Sequence, residues 1–166
     1  MRQLILYLFI ITSAISQAQV NYGTPSPETP LPEVINKLER KLLVEHFPKV
    51  NHPVQIESNY YWKHATVIYS KEGPVTIVEF GAYLYYNDQW NLRQQYPIKD
   101  FDKFFGTKNE QLLQGQPYVW TENWRVGDSL FGGWALWYFI GLTPEGDRIC
   151  GYQTIHTTSN LLTSKN

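Results

Sequence analysis

The sequence predicts an α+β fold. The expected arrangement is a single domain, with an N-terminal amphipathic helix on a curved antiparallel β-sheet of about five to six strands and a short second helix between the strand groups. Three observations predict it. Apolar residues recur at helical spacing across 31–44, apolar and polar residues alternate from Val54 to Tyr86, and a ring-rich ribbon at 131–157 is divided by a turn.

The first helix rests on Ile35, Leu38 and Leu42, which share one stripe, with Leu31, Val34 and Val44 at its margins. Pro32 suits a first helical turn, where its missing N–H has no partner to lose. Glu33–Lys37 and Lys41–Glu45 sit four apart, and Phe47-Pro48 closes the segment because the residue before proline is steered from helical angles. The sum is an amphipathic helix of about four turns that needs a sheet to cover.

Strands follow. Val54, Ile56, Tyr60 and Trp62 alternate with polar residues, 65–70 forms a second run, and Lys71-Glu72-Gly73-Pro74 makes a turn. From Val75 to Tyr86 the even positions (Thr76, Val78, Phe80, Ala82, Leu84, Tyr86) read as the core face. Gly81 marks a bulge or bend, as a curved sheet requires. Phe101, Phe104 and Phe105 give the short second helix one apolar face, and Gly106 is placed to end it. Residues 118–124 read as one strand and 125–128 as a turn. The run from Phe131 to Gly141, the turn at 143–147 and the β-branched run from Arg148 to Thr157 form a hairpin whose first strand is buried on both faces. Short connections favour antiparallel pairing. Cystatin-like and nuclear-transport-factor-like rolls are similar in this outline, an analogy of architecture that implies no activity. No glutamine-valine-glycine inhibitor loop accompanies it.

Residues 1–18 have the pattern of a secretory signal peptide: Arg2, an apolar core at 4–11, then small residues before Gln19. Pro25, Pro27 and Pro30 make 19–31 a flexible leader, 32–162 is the domain, and 163–166 is expected to be a disordered tail. The expected protein is exported and soluble, periplasmic or secreted, with no membrane span after signal removal. The net charge of −1 offers no basic excess for phosphates, so nucleic acid is not an expected partner. Cys150 is the only cysteine, so no disulfide forms within the chain and the core must hold the fold.

Aromatic residues reach 16% against 17% charged, and this balance directs the functional reading. Tyr118, Trp120, Glu122 and Trp124 would share a strand face, roughly 6.6 Å apart at each step. Rings pack on apolar sugar faces and a carboxylate accepts from hydroxyls, so these four are the candidate ligand-binding residues; the competing reading makes their face core. Glu79, flanked by Val78 and Phe80, is a candidate general acid if enclosed, with His64 or His156 as partner. The histidines (46, 52, 64 and 156) lack zinc-binding spacing, and neither a phosphate loop nor a Gly-x-Ser-x-Gly elbow is present, so no metal or cofactor is expected. The sequence favours an exported, non-enzymatic binding or interaction domain for a protein or glycan of the cell envelope or exterior. An exposed edge strand could pair two copies as a homodimer. The alternative is a small hydrolase or isomerase with an acid–base site inside the curved sheet.

Overall fold

The computed structural model describes residues 21–162. The expected signal peptide at 1–18, leader residues Gln19 and Val20, and the tail at 163–166 lie outside the described residues.

The architecture is mostly β, which overturns the α+β expectation. The central sheet is ordered β1 (Glu39–Arg40), β13 (Arg148–Thr157), β12 (Gly133–Leu142), β7 (Val75–Tyr86), β8 (Gln89–Gln95). β3 (Val50–Asn51) also borders β13, and β9 (Gln111–Leu112) borders β7. A second sheet is ordered β10 (Tyr118–Trp120), β6 (Ala65–Ser70), β2 (Leu42–Phe47); a third is ordered β11 (Arg125–Gly127), β5 (Asn59–Trp62), β4 (Val54–Ile56). Pairing is antiparallel except where β1 and β3 lie parallel to β13. Among the described residues no helix is long and apolar enough to cross a membrane.

The long N-terminal helix is absent. Only α1 (Glu33–Asn36) is helical, and β1 and β2 follow it. In β2 the buried residues are Leu42, Val44 and His46, a period of two. Those apolar positions fit a helical stripe equally well as long as His46 is counted as polar. An isolated four-turn helix is marginal in water, whereas β2 gains a full antiparallel ladder with β6. Lys41 accordingly bridges Glu39 and Glu72, at 3.3 and 3.4 Å. Ile35 and Leu38 still serve as cover, packing with Leu31 on the outer face of the central sheet against Leu136, Tyr138, Ile140 and Cys150.

The hairpin of β12 and β13 forms as the sequence predicts, and β12 is buried on both faces. Its inner face joins Phe80, Ala82, Trp137 and Phe139 to Leu42, Val44 and Ile68 of the second sheet and to α2 (Asp100–Phe105). Large side chains enclosed this fully each contribute about 2–3 kcal/mol. Gly106 ends α2 in the left-handed conformation, at φ 68°. Part of the proline-rich segment lies on the sheet: Asn21 exchanges hydrogen bonds with Asn87, and the Tyr22 ring is 6.5 Å from Tyr86.

Two irregularities reset which side chains face inward. Across β12, Ile140 pairs with Glu79 but Gly141 pairs with Ile77, so Val78 is an extra residue. Val75 and Ile77 therefore face the inner core before the bulge, and Phe80 and Ala82 after it. The expected even-numbered core face begins only at Phe80, and Val78 is 36% exposed. The second bulge is on β8. Ala82 pairs with Gln94 and Tyr83 with Leu92, leaving Arg93 unpaired in the ladder. Strand β8 was not expected; Asn87 and Asp88, both at positive φ, turn the chain straight back into it. Gly81 sits against this bulge, where a Cβ would overlap the Gln94 carbonyl oxygen and the Tyr138 ring. Gly81→Ala is therefore expected to lower stability by about 2 kcal/mol or more in chemical denaturation, because backbone must move to admit the methyl.

Candidate functional site

A cleft opens where the inner face of the central sheet runs past the second sheet toward the third. Its floor is Ala82, Leu84, Ala135, Trp137, Ile155 and Thr157. The two alanines leave room that larger residues fill elsewhere on this face. One wall is Arg93 and Tyr96 from the β8 side; the other is His64, between β5 and β6, with Asn123, Trp124 and Arg125 entering β11. The space measures about 470 Å³ including its open mouth.

Arg125 is the built cation of this cleft. Its guanidinium carbon lies 3.3 Å from the Phe131 ring centroid, and Phe131 stacks on the buried Trp62 at 4.0 Å. Such a cation–π contact holds the guanidinium plane while leaving its N–H edge to a ligand. Burial, then the charge of Arg93, lowers the Arg125 pKa to about 9, with Tyr22 opposing; it remains charged at neutral pH. Lys63 adds a third cation, 4.5 Å from the Trp124 ring centroid. Among the described residues the ion pairs are Lys41 with Glu39 and Glu72, and Arg148 with Glu79. Arg93, Arg125 and Lys63 thus have no carboxylate within salt-bridge distance there, and no Asp or Glu lines the cleft.

Behind the wall lies a buried polar chain. Asn123 Nδ2 donates to Thr66 Oγ1 at 2.8 Å, and Thr66 Oγ1 lies 3.0 Å from His46 Nδ1. His46 Nε2 faces the Gln153 carbonyl at 3.3 Å. One proton arrangement satisfies all of it: Thr66 donates to Nδ1, and neutral His46 donates from Nε2 to Gln153. His64 differs. Asn51 Nδ2 lies 3.4 Å from its Nδ1, which makes Nδ1 the acceptor and puts the neutral ring's proton on Nε2. That Nε2 is buried without a hydrogen-bond partner, in a residue only 6% exposed. The Trp62 carbonyl beside the ring favours its protonated form, against the larger effect of burial. A buried N–H without a partner costs about 1–3 kcal/mol, and the fold bears that cost here.

The sequence-derived candidates are dispersed. The strand ends at Trp120, and a turn at Thr121 and Glu122 breaks the face on which Tyr118, Trp120, Glu122 and Trp124 were to lie. Tyr118 is core, and Trp120 stacks on Phe104 at 4.2 Å within the same aromatic cluster. Glu122 is exposed; Trp124, 40% exposed, is the member that reaches the cleft. Glu79 lies on the outer face, accepting from Tyr138 Oη at 2.9 Å, with Arg148 3.9 Å away. Burial, then the hydrogen bond and charge of Glu79, raises the Tyr138 pKa, so that phenol stays a donor. His156 is also outer, stacked on Trp134 at 4.7 Å. Trp134 and Ile140, their register partners, are six residues apart, so His156 and Glu79 are about 20 Å apart along the sheet. His64 lies inside, 6.2 Å from Trp137. The three do not converge. No group of three or more His, Cys, Asp or Glu is placed to hold a metal among the described residues.

Sequence reasoning missed Arg93 and Arg125. Arg93 sits in a polar edge strand without an apolar period, and its orientation comes from a one-residue bulge. The Asn87-Asp88 pair was the available signal for that strand.

Burial lowers the His46 pKa to about 3, helped by the nearby His64 and opposed by the Gln153 carbonyl; burial lowers that of His64 to about 4. Above pH 6.5 both are neutral whether folded or not. Below it the unfolded chain takes up protons that the fold refuses, so stability falls as pH drops from about 6.5 toward 4. Urea unfolding at pH 7 and pH 5 is expected to differ by about 1 kcal/mol per pH unit for each histidine. His46→Phe should show a shallower dependence. No protein-family model, curated protein or solved structure matches this chain.

Proposed function

We propose that this chain is an exported, non-catalytic binding domain that holds its ligand through an anionic group in the cleft. The observation carrying this reading is the pairing of Arg93 and Arg125 in one cleft, with no acidic partner among the described residues. A chain of net charge −1 has gathered around one cleft cations that no carboxylate of the described residues pairs with. Guanidinium groups in partly dry surroundings are suited to carboxylate, sulfate or phosphate oxygens. The pattern of residues 1–18 supports export. The hydrolase or isomerase alternative draws no support from Glu79, His64 and His156, which lie apart, nor from a cleft lined without a carboxylate.

Acetate, sulfate and phosphate, each compared with chloride at matched ionic strength, test the reading. A bound anion at ten times its dissociation constant stabilises the fold by about 1.4 kcal/mol, a rise in Tm of about 3–5 °C. The rise should disappear in Arg125→Met. Equal melting in all four salts would defeat the proposal.

A further inference from the structure

We infer that the ligand is an acidic saccharide, a sugar chain bearing carboxylate or sulfate groups, held with its acid on Arg93 and Arg125 and a ring on Trp124. This rests on the anion-binding reading above and names the molecule that carries the anion.

The cleft is too tight to admit a whole sugar chain. Its volume of about 470 Å³, open mouth included, suits one acidic group beside Arg93 and Arg125, with the body of the ligand outside. What lies at the mouth therefore selects the ligand. Trp124 lines the cleft yet is 40% exposed, and it stands edge-on to Tyr61 at 6.4 Å, which braces its ring. An exposed, braced indole gives contact area at small entropic cost, and its face complements the C–H face of a pyranose. Lys63 covers one face of that indole, so the sugar would take the opposite face, and the ammonium can meet a second acidic group along the chain. Acid, ring and next acid in succession are the repeat of a polyuronate or sulfated glycan. An acidic peptide would offer carboxylates but no flat C–H face for the indole.

The test uses the full chain without residues 1–18 and follows tryptophan fluorescence and calorimetry. The probes are an oligogalacturonate, its methyl ester, a sulfated oligosaccharide, an oligoglutamate and acetate. Oligogalacturonate or the sulfated chain should bind at least tenfold more tightly than the ester, acetate or oligoglutamate, and weaken as salt rises. Trp124→Ala should weaken the acidic saccharide at least tenfold more than it weakens acetate. Ala135→Leu, which fills the floor, should remove both, with circular dichroism confirming its fold. Binding of acetate without preference for the saccharide, or with Trp124→Ala neutral, would overturn this inference and leave the anion reading standing. Tightest binding of oligoglutamate would likewise overturn it. No binding of any anion would remove both.

Discussion

A strand that is dry on both faces leaves its backbone no route to water, so both of its edges must be paired. β12 meets that condition along its length, between β13 and β7. It also demands two covers. The inner face receives the second sheet and the three phenylalanines of the α2 segment, and the outer face receives Leu31, Ile35 and Leu38. The rest of the chain is disposed to supply these layers. The remnant helix α1 exists because it delivers Ile35 to the outer face, more than because four residues favour helix.

The aromatic cluster is not uniform, and its gap is where the cleft forms. Phe80, Tyr96, Phe101, Phe104, Phe105, Trp120, Trp137 and Phe139 interlock around one end of the inner face. Toward the other end Ala82 and Ala135 stand where rings would close the space. Bulges complete the arrangement. The extra residue at Val78 turns Phe80 and Ala82 inward, and the extra residue at Arg93 puts a cation at the rim. One-residue insertions thus convert a packed sandwich edge into a charged recess.

The recess is held in shape by neutral polar groups. Asn123 is tied through Thr66 to His46, and it lies two residues from Arg125, so the histidine chain fixes the segment that presents the guanidinium. Because this wall is assembled from groups that stay uncharged when buried, the cations keep their field for whatever enters. The Trp62–Phe131–Arg125 stack serves the same end from the other side.

The hairpin at 131–157, the 65–70 and 75–86 strands and the Gly106 helix end were legible from local pattern, since burial period, turn residues and a left-handed glycine are written in adjacent positions. The 32–46 segment was not, because Leu42 and Val44 satisfy two periods at once and only pairing with β6 decides between them. Nor was the cleft. Arg93, His64 and Arg125 are far apart in the chain, and the hydrogen-bond register that brings them together has no local signature. Residue by residue, the amino-acid order determined which stretches water would expel and where the chain could turn. Which edges paired, where the ladder slipped by a residue, and hence which cations met, was decided by tertiary structure alone, because register minimises the energy of two strands together and belongs to neither.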